Sequence, residues 1–357
     1  MRAGAAPPGG RPAQRAARAG FTPKIRPHRT LGDVSVMIGR LPRMGAPFIG
    51  SEALATGRLT RHQLRSGHVA IHPDVYVQAG TQLTALSRAT ASWLWTGRRG
   101  VLAGRSAAAL HGAKWVDDDA PAQLLHPNRR APSGIDTWSD RFQDDEVQIV
   151  HGMPVTTPAR TALDLACRLP LHDAVVAMDA LARATRLTMA DVDVLAQRYR
   201  GRRSISRARV ALDLVDPGAE SPQETRLRLL YIRAGFPRPE TQIPVYDEYD
   251  QLVAVLDMGW RDILVGADYE GKHHRLSRRQ LDSDIRRFDA VTELGWTDVR
   301  VTVMDTEGVI IERTRRAFER RGALSLIGPR VNFYHAPNVR SRRDLVEFSA
   351  LRARSAS

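Results

Sequence analysis

The apolar run LVAVL ends on Asp257, and a second run, ILVGA, ends on Asp268 and Glu270 inside the stretch ADYEGKHH. Two successive runs closed by acids constrain the last third of the chain more than any other feature, because a carboxylate at the end of a buried strand must find a partner or a cation. The surrounding pattern is regular. ESPQETRLRLLYIRAG reads as a helix with Ser221 as its cap, Pro222 in its first turn and Gly235 as its stop. RPETQIPVYDEYD, LVAVLD and ILVGADYEG read as three strands, SRRQLDSDIRRFDAVTELG as an amphipathic helix, DVRVTV as a fourth strand, and Thr306 to Arg321 as a last helix. The predicted order is αβββαβα.

Residues two apart in a strand share a face, which places Asp268 and Glu270 together. A two-residue turn at Arg261 and Asp262 pairs Trp260 with Ile263 and sets Asp257 opposite Gly266, roughly 7 to 8 Å diagonally from Asp268. Hard oxygen ligands gathered in this way suit Mg2+ or Mn2+. Each residue also has a plainer reading. Glu224 stands three after Ser221, the spacing of a capping box, and that role is favoured over metal ligation. Asp268 and Glu270 fit a solvated strand end, and His273 and His274 fit polar neighbours of the following helix.

The combination of ESPQE, LDMGW, DYEGKHH and DIRR over about residues 218 to 321 resembles the PD-(D/E)XK nuclease fold, and more closely the Vsr-like domains of a family of unknown function. The resemblance implies a metal-activated water attacking a phosphodiester, with Asp257, Asp268 and Glu270 as ligands, Glu224 as a possible fourth, and Lys272 or His274 steadying the phosphate. The sequence departs from that family at one position. Where the pattern carries lysine two residues after the second acid, this chain has Glu270, and the nearest cations are Lys272, His273 and His274.

Earlier in the chain, SEALATGRLTRHQLRSG reads as a helix opened by Ser51, a break at Gly57 and a second helix capped by Thr60 with Gln63 three residues on. HVAIHPDVYVQAG then gives two short strands around Pro73 and Asp74. The outline is a winged helix-turn-helix. If the second helix reads DNA, Arg58, Arg61, His62 and Arg65 face the duplex. The further order GRSAAALHGAKW and PVTTPARTALDLA, over about residues 45 to 170, resembles the AbiEi family, the antitoxin side of bacterial type IV toxin-antitoxin systems. That resemblance implies a DNA-binding repressor with a toxin partner.

Charge is concentrated at the ends. The net charge is +14, and residues 1–36 carry seven Lys/Arg against one acid while residues 328–357 carry six against two, so the ends hold ten of the fourteen charges. Such ends add affinity for a polyanion without reading its sequence. The opening RAGAAPPGGRPAQRAARAG is expected to be disordered, and Met37 or Met44 offers an alternative start. The lone Cys167 excludes an intrachain disulfide and fits a small buried hydrophobe. No run is long and apolar enough to span a membrane, and no secretory signal is visible, so a cytoplasmic protein is expected.

The expected fold is α/β, or α+β overall: a basic N-terminus (1–36), a winged helix-turn-helix region (37–115), a largely helical AbiEi-like middle (116–216), a restriction-endonuclease-like αβββαβ domain (217–325) and a basic tail (326–357). Three functions remain open: a metal-dependent DNA endonuclease, a repressor or antitoxin whose nuclease fold has lost its chemistry, and a scaffold that binds a toxin through the helical middle.

Overall fold

The computed structural model describes residues 45–271 and 278–333. All of them belong to one compact unit. The expected disordered N-terminus, most of the basic tail, and Lys272, His273 and His274 lie outside the described residues.

The chain enters through β1 (Phe48–Ile49), α1 (Gly50–Ala55), α2 (Arg61–Gly67), β2 (His68–His72), β3 (Val75–Gln78) and α3 (Ala85–Trp95), the three strands forming an antiparallel sheet in the order β1-β3-β2. The Thr60 hydroxyl accepts from the Gln63 N–H while the Gln63 side chain accepts from the Thr60 N–H, so α2 begins with the expected capping box. Helix α1 begins differently from expectation. Ser51 lies inside the helix, and the cap comes from the strand turn, where Asp74 accepts from the Gly50 and Ser51 N–H groups through its carbonyl and its carboxylate. That contact fixes α1 against the β2–β3 turn. Val75, with Ala91 and Leu94 of α3, forms the core beneath the sheet, and the half-buried Trp93 and Trp95 pack there too, as core residues.

The middle of the chain differs from the largely helical expectation. Strands β4 (Val101–Leu102), β5 (Ala122–Leu125), β6 (Ile135–Trp138), β7 (Val147–Val150) and β8 (Met153–Thr156) form a five-stranded sheet in the order β6-β5-β4-β8-β7, with α4 (Gly104–Leu110) packed on it. These strands are two to four residues long, too short to show a period, and β5 is buried throughout, so no alternation marks it. Only β8 stands out in the sequence, through the Thr157-Pro158 signal that opens α5 (Pro158–Arg168). Helices α6 (Leu171–Thr185), α7 (Met189–Arg198) and α8 (Ile205–Asp213) complete a core that contains Leu163, Met178, Leu181 and Cys167.

The final third follows the predicted order: α9 (Pro222–Ala234), β9 (Glu240–Tyr246), β10 (Leu252–Trp260), β11 (Val265–Glu270), α10 (Arg278–Glu293), β12 (Thr297–Thr302) and α11 (Glu307–Arg320). The sheet order is β12-β11-β10-β9, with β11 and β12 parallel and the other pairs antiparallel. Helices α9 and α11 cover one face through Leu227, Tyr231, Ile310 and Phe318, and α10 covers the other through Val291. Gly235 ends α9 at φ +94°, and a Cβ there would meet the Gly328 carbonyl at 2.2 Å, so the position demands glycine twice over. The segment from Gly328 returns to this point: Gly328 donates to Gly235, Val331 donates to Arg233, and Phe333 is buried in the α5–α8 core. The tail expected from residue 326 is therefore, up to Phe333, part of the packed structure.

Candidate nucleic-acid interface and acidic strand cluster

Helix α2 turns Leu64 inward and leaves Arg61, His62 and Arg65 exposed, none of them paired with a carboxylate among the described residues. Thr60 and Gln63 fix the start of the helix, so the positions of Arg61 and Arg65, one turn apart on the same side, follow from the cap. Arg58 is engaged elsewhere. Its guanidinium lies 5.2 Å above the Phe48 ring, and Phe48 in turn meets the rings of His68 and Tyr76. Of the four residues expected to face DNA, three form an unpaired basic surface and the fourth borders it.

In the arginine-rich stretch at and after the end of α7, Arg200 and Arg203 are exposed, while three other arginines are held by partners. Arg198 pairs with Asp145 and Glu146, Arg202 with Asp140 and Asp164, and Arg207 donates to the Cys167 carbonyl. At the centre of this network is Arg160, fully buried, which reaches Glu146 at 2.5 Å, Asp140 at 2.9 Å and Asp164 at 3.1 Å. Burial alone would weaken the charge on Arg160, but the surrounding carboxylates outweigh it and its pKa is raised. Sequence position hides this role, since a buried arginine and a phosphate-facing one look alike until their partners are placed.

The acids of the last sheet lie where β10 and β11 part. The ladder runs from Trp260↔Val265 to Met258↔Ala267 and stops there. The turn is not the expected two-residue one but spans residues 261–264, with Leu264 left-handed at φ 51°, so the pairing moves by two and Asp257 comes opposite Asp268 rather than Gly266. At this position β10 also changes the layer it serves. Leu256 packs in the α10 cluster and Met258 in the α9–α11 cluster, so the simple alternation that predicted the facing of Asp257 fails at that residue.

The two carboxylates then replace ladder bonds. Asp268 Oδ1 accepts from the Asp257 N–H at 2.8 Å, and Asp257 Oδ2 accepts from the Tyr269 N–H at 2.7 Å. Asp268 Oδ2 accepts from Arg287 of α10 at 2.8 Å, and the same guanidinium nitrogen donates to the Val255 carbonyl at 2.6 Å. Glu270 pairs with Arg300 at 2.7 Å. Glu224 behaves as a cap: its N–H donates to the Ser221 hydroxyl, and its carboxylate accepts from the Glu220 N–H, one residue before the expected position.

Burial pushes the Asp257 carboxyl up to about 7, with the charge of Asp268 adding to the shift. Burial also raises Asp268 and Glu224. The pattern reading passes over Asp298, which burial and Asp268 together push up to about 7 and whose Oδ1 is buried without a hydrogen-bond partner among the described residues. Its signal lay in the pairing of β12 with β11, which sets Asp298 beside Gly266 and Arg300 beside Asp268. A Cβ on Gly266 would meet Leu256 at 2.8 Å and Asp298 at 3.4 Å, so glycine admits both side chains to this face.

Among the described residues, no group of three or more His, Cys, Asp or Glu side chains is placed to hold a metal ion. Asp257, Asp268, Glu270 and Glu224 direct oxygens to backbone N–H groups and to arginines rather than to a common point. As arranged, they do not fit a magnesium or manganese ion.

Comparison with known proteins adds the family. Two proteins of Mycobacterium tuberculosis, the uncharacterized protein Rv2248 of strain ATCC 25618 / H37Rv and the uncharacterized protein MT2308 of strain CDC 1551 / Oshkosh, are each 30% identical to this chain over 270 residues, 73% of this chain and 98% of theirs. The chain belongs to the family of these mycobacterial proteins. Within it, residues 100–214 match the AbiEi antitoxin C-terminal domain. The match begins after α3 and ends with α8, so it takes in the five-stranded sheet and the Arg160 network and leaves out the helix pair that the sequence resemblance, drawn over residues 45 to 170, included. It also ends before α9, so the nuclease resemblance of residues 218 to 321 rests on its residue pattern alone. No solved structure matches the chain. Among the described residues, no helix is long and apolar enough to cross a membrane.

Proposed function

We propose that the protein is a DNA-binding regulator of the antitoxin kind, which holds DNA through α2 and the adjoining three-stranded sheet and carries its antitoxin-like core behind them. The observation that carries this reading is the unpaired basic face of α2, with Arg61, His62 and Arg65 exposed on a helix whose start is fixed by Thr60 and Gln63. A helix pair followed by an antiparallel hairpin is the arrangement that places a second helix in the major groove. The antitoxin match over residues 100–214 supports the same class, and the partner it suggests is a toxin protein. Recovery of a complex with the product of a neighbouring gene checks that partner; failure to recover one reduces the reading to DNA binding alone.

The decisive experiment measures binding of the full chain to a mixed-sequence duplex by fluorescence anisotropy across a salt series. With Arg61 and Arg65 both changed to Ala, affinity should fall and the slope of log K against log salt should flatten by about 2, roughly 0.9 for each phosphate that is no longer neutralised. An unchanged slope would mean that α2 does not touch the backbone and that binding, if any, belongs to the charged ends.

A further inference from the structure

We infer that Arg287 and Arg300 take the place of a metal ion in the last sheet, so that its acids serve as an internal, metal-independent latch between β10, β11 and α10. The inference rests on how the lone pairs are used. Beyond Met258↔Ala267 the two strands have no mutual ladder, and the next bonds across the gap are made by the Asp257 and Asp268 carboxylates with each other's strand. Arg287 closes the gap from above. One nitrogen of its guanidinium donates both to the Val255 carbonyl of β10 and to Asp268 Oδ2 of β11, so a single side chain of α10 holds both strands. Arg300, beside Asp268 in the parallel register, neutralises Glu270 in the same way.

A divalent ion needs several carboxylate oxygens turned to one point. Here Asp268 already has both oxygens engaged, one by a backbone N–H and one by a guanidinium, and Glu270 is turned to Arg300. A fixed cation on the protein's own chain answers the repulsion that would otherwise burden the cluster. Arginine suits the task, because it stays charged when partly buried and presents its donors in a rigid plane.

The test compares thermal unfolding of the full-length wild type, Arg287→Gln, Asp268→Asn and the double variant, each with manganese and with chelator, alongside manganese electron paramagnetic resonance of the wild type. The latch predicts that each single variant melts about 4 to 10 °C lower, by the same amount in both solutions, and that the double variant loses less than the sum. It also predicts a wild-type melting temperature that ignores manganese and a spectrum of free ion only. A bound-manganese spectrum that Asp268→Asn abolishes, or a rise in melting temperature when Asp268→Asn relieves repulsion in chelator, overturns the latch in favour of a metal site. Strictly additive single variants overturn the pairing of Arg287 with Asp268. Should Arg287→Gln fail to fold, the wild-type spectrum and its response to manganese still decide the matter.

Discussion

Asp179 of α6 is almost fully buried and accepts from the Asp216 N–H, the Thr225 hydroxyl and the Arg228 guanidinium, each at 2.8 Å. Burial pushes its carboxyl from an ordinary 3.8 up to about 6, against the pull of Arg228. Between about pH 4 and pH 6 the folded chain therefore keeps a proton that the unfolded chain has released. The unfolded state binds fewer protons across that window, so the Asp179 contribution to stability falls as pH rises through it, by about 3 kcal/mol, and is flat above. Changing Asp179 to Asn, which keeps the side chain neutral as the protonated carboxyl is, should remove this slope. Chemical denaturation of the wild type and Asp179→Asn from pH 4 to 7 checks the sign; a wild-type slope retained in Asp179→Asn would assign it to another group.

Helix α2 is only seven residues long, too short to persist without a cap and a packed face, so its basic surface depends on Thr60, Gln63 and Leu64. Thr60→Ala should lower stability by about 1 kcal/mol and weaken DNA binding beyond that loss, because a frayed first turn displaces Arg61. Gln63→Ala, which removes only the return bond to Thr60, should do less. Amide hydrogen exchange over residues 60–67 reads the fraying directly, and unchanged protection in Thr60→Ala would show that tertiary packing alone holds the helix. This element was legible from its residues, because a capping box is a local device. The cap of α1 was not, since it comes from Asp74, 23 residues beyond Ser51. The same contrast separates Glu224, whose capping role follows from Ser221, from Asp257, whose surroundings depend on a turn length and a change of layer that no local pattern encodes.

The antitoxin-like core and the last sheet are joined by a buried ion pair rather than by a loose linker. Arg228 of α9 reaches Asp179 and the Leu214 carbonyl, while Leu229 and Phe333 enter the α5–α8 core. Residues from Asp216 onward should therefore unfold together with the helices before them. Calorimetry of the full chain should give one cooperative transition for the described residues, since separating the parts strands a buried charge. Two well-resolved transitions would show that they are independent domains. The sequence by itself determined the helix pair and its cap, the αβββαβα order, and the acids at the strand ends, because caps, turn residues and long amphipathic runs act within a few residues of their own position. The tertiary structure alone decided the five-stranded sheet, whose strands are too short to carry a period, and the Arg160 network, whose partners lie up to 39 residues from it. It alone also decided the fate of the acids at the β10–β11 parting, because which cation answers a carboxylate depends on which side chains three-dimensional packing brings to its oxygens, and Arg287 arrives there from a helix 19 residues further along the chain.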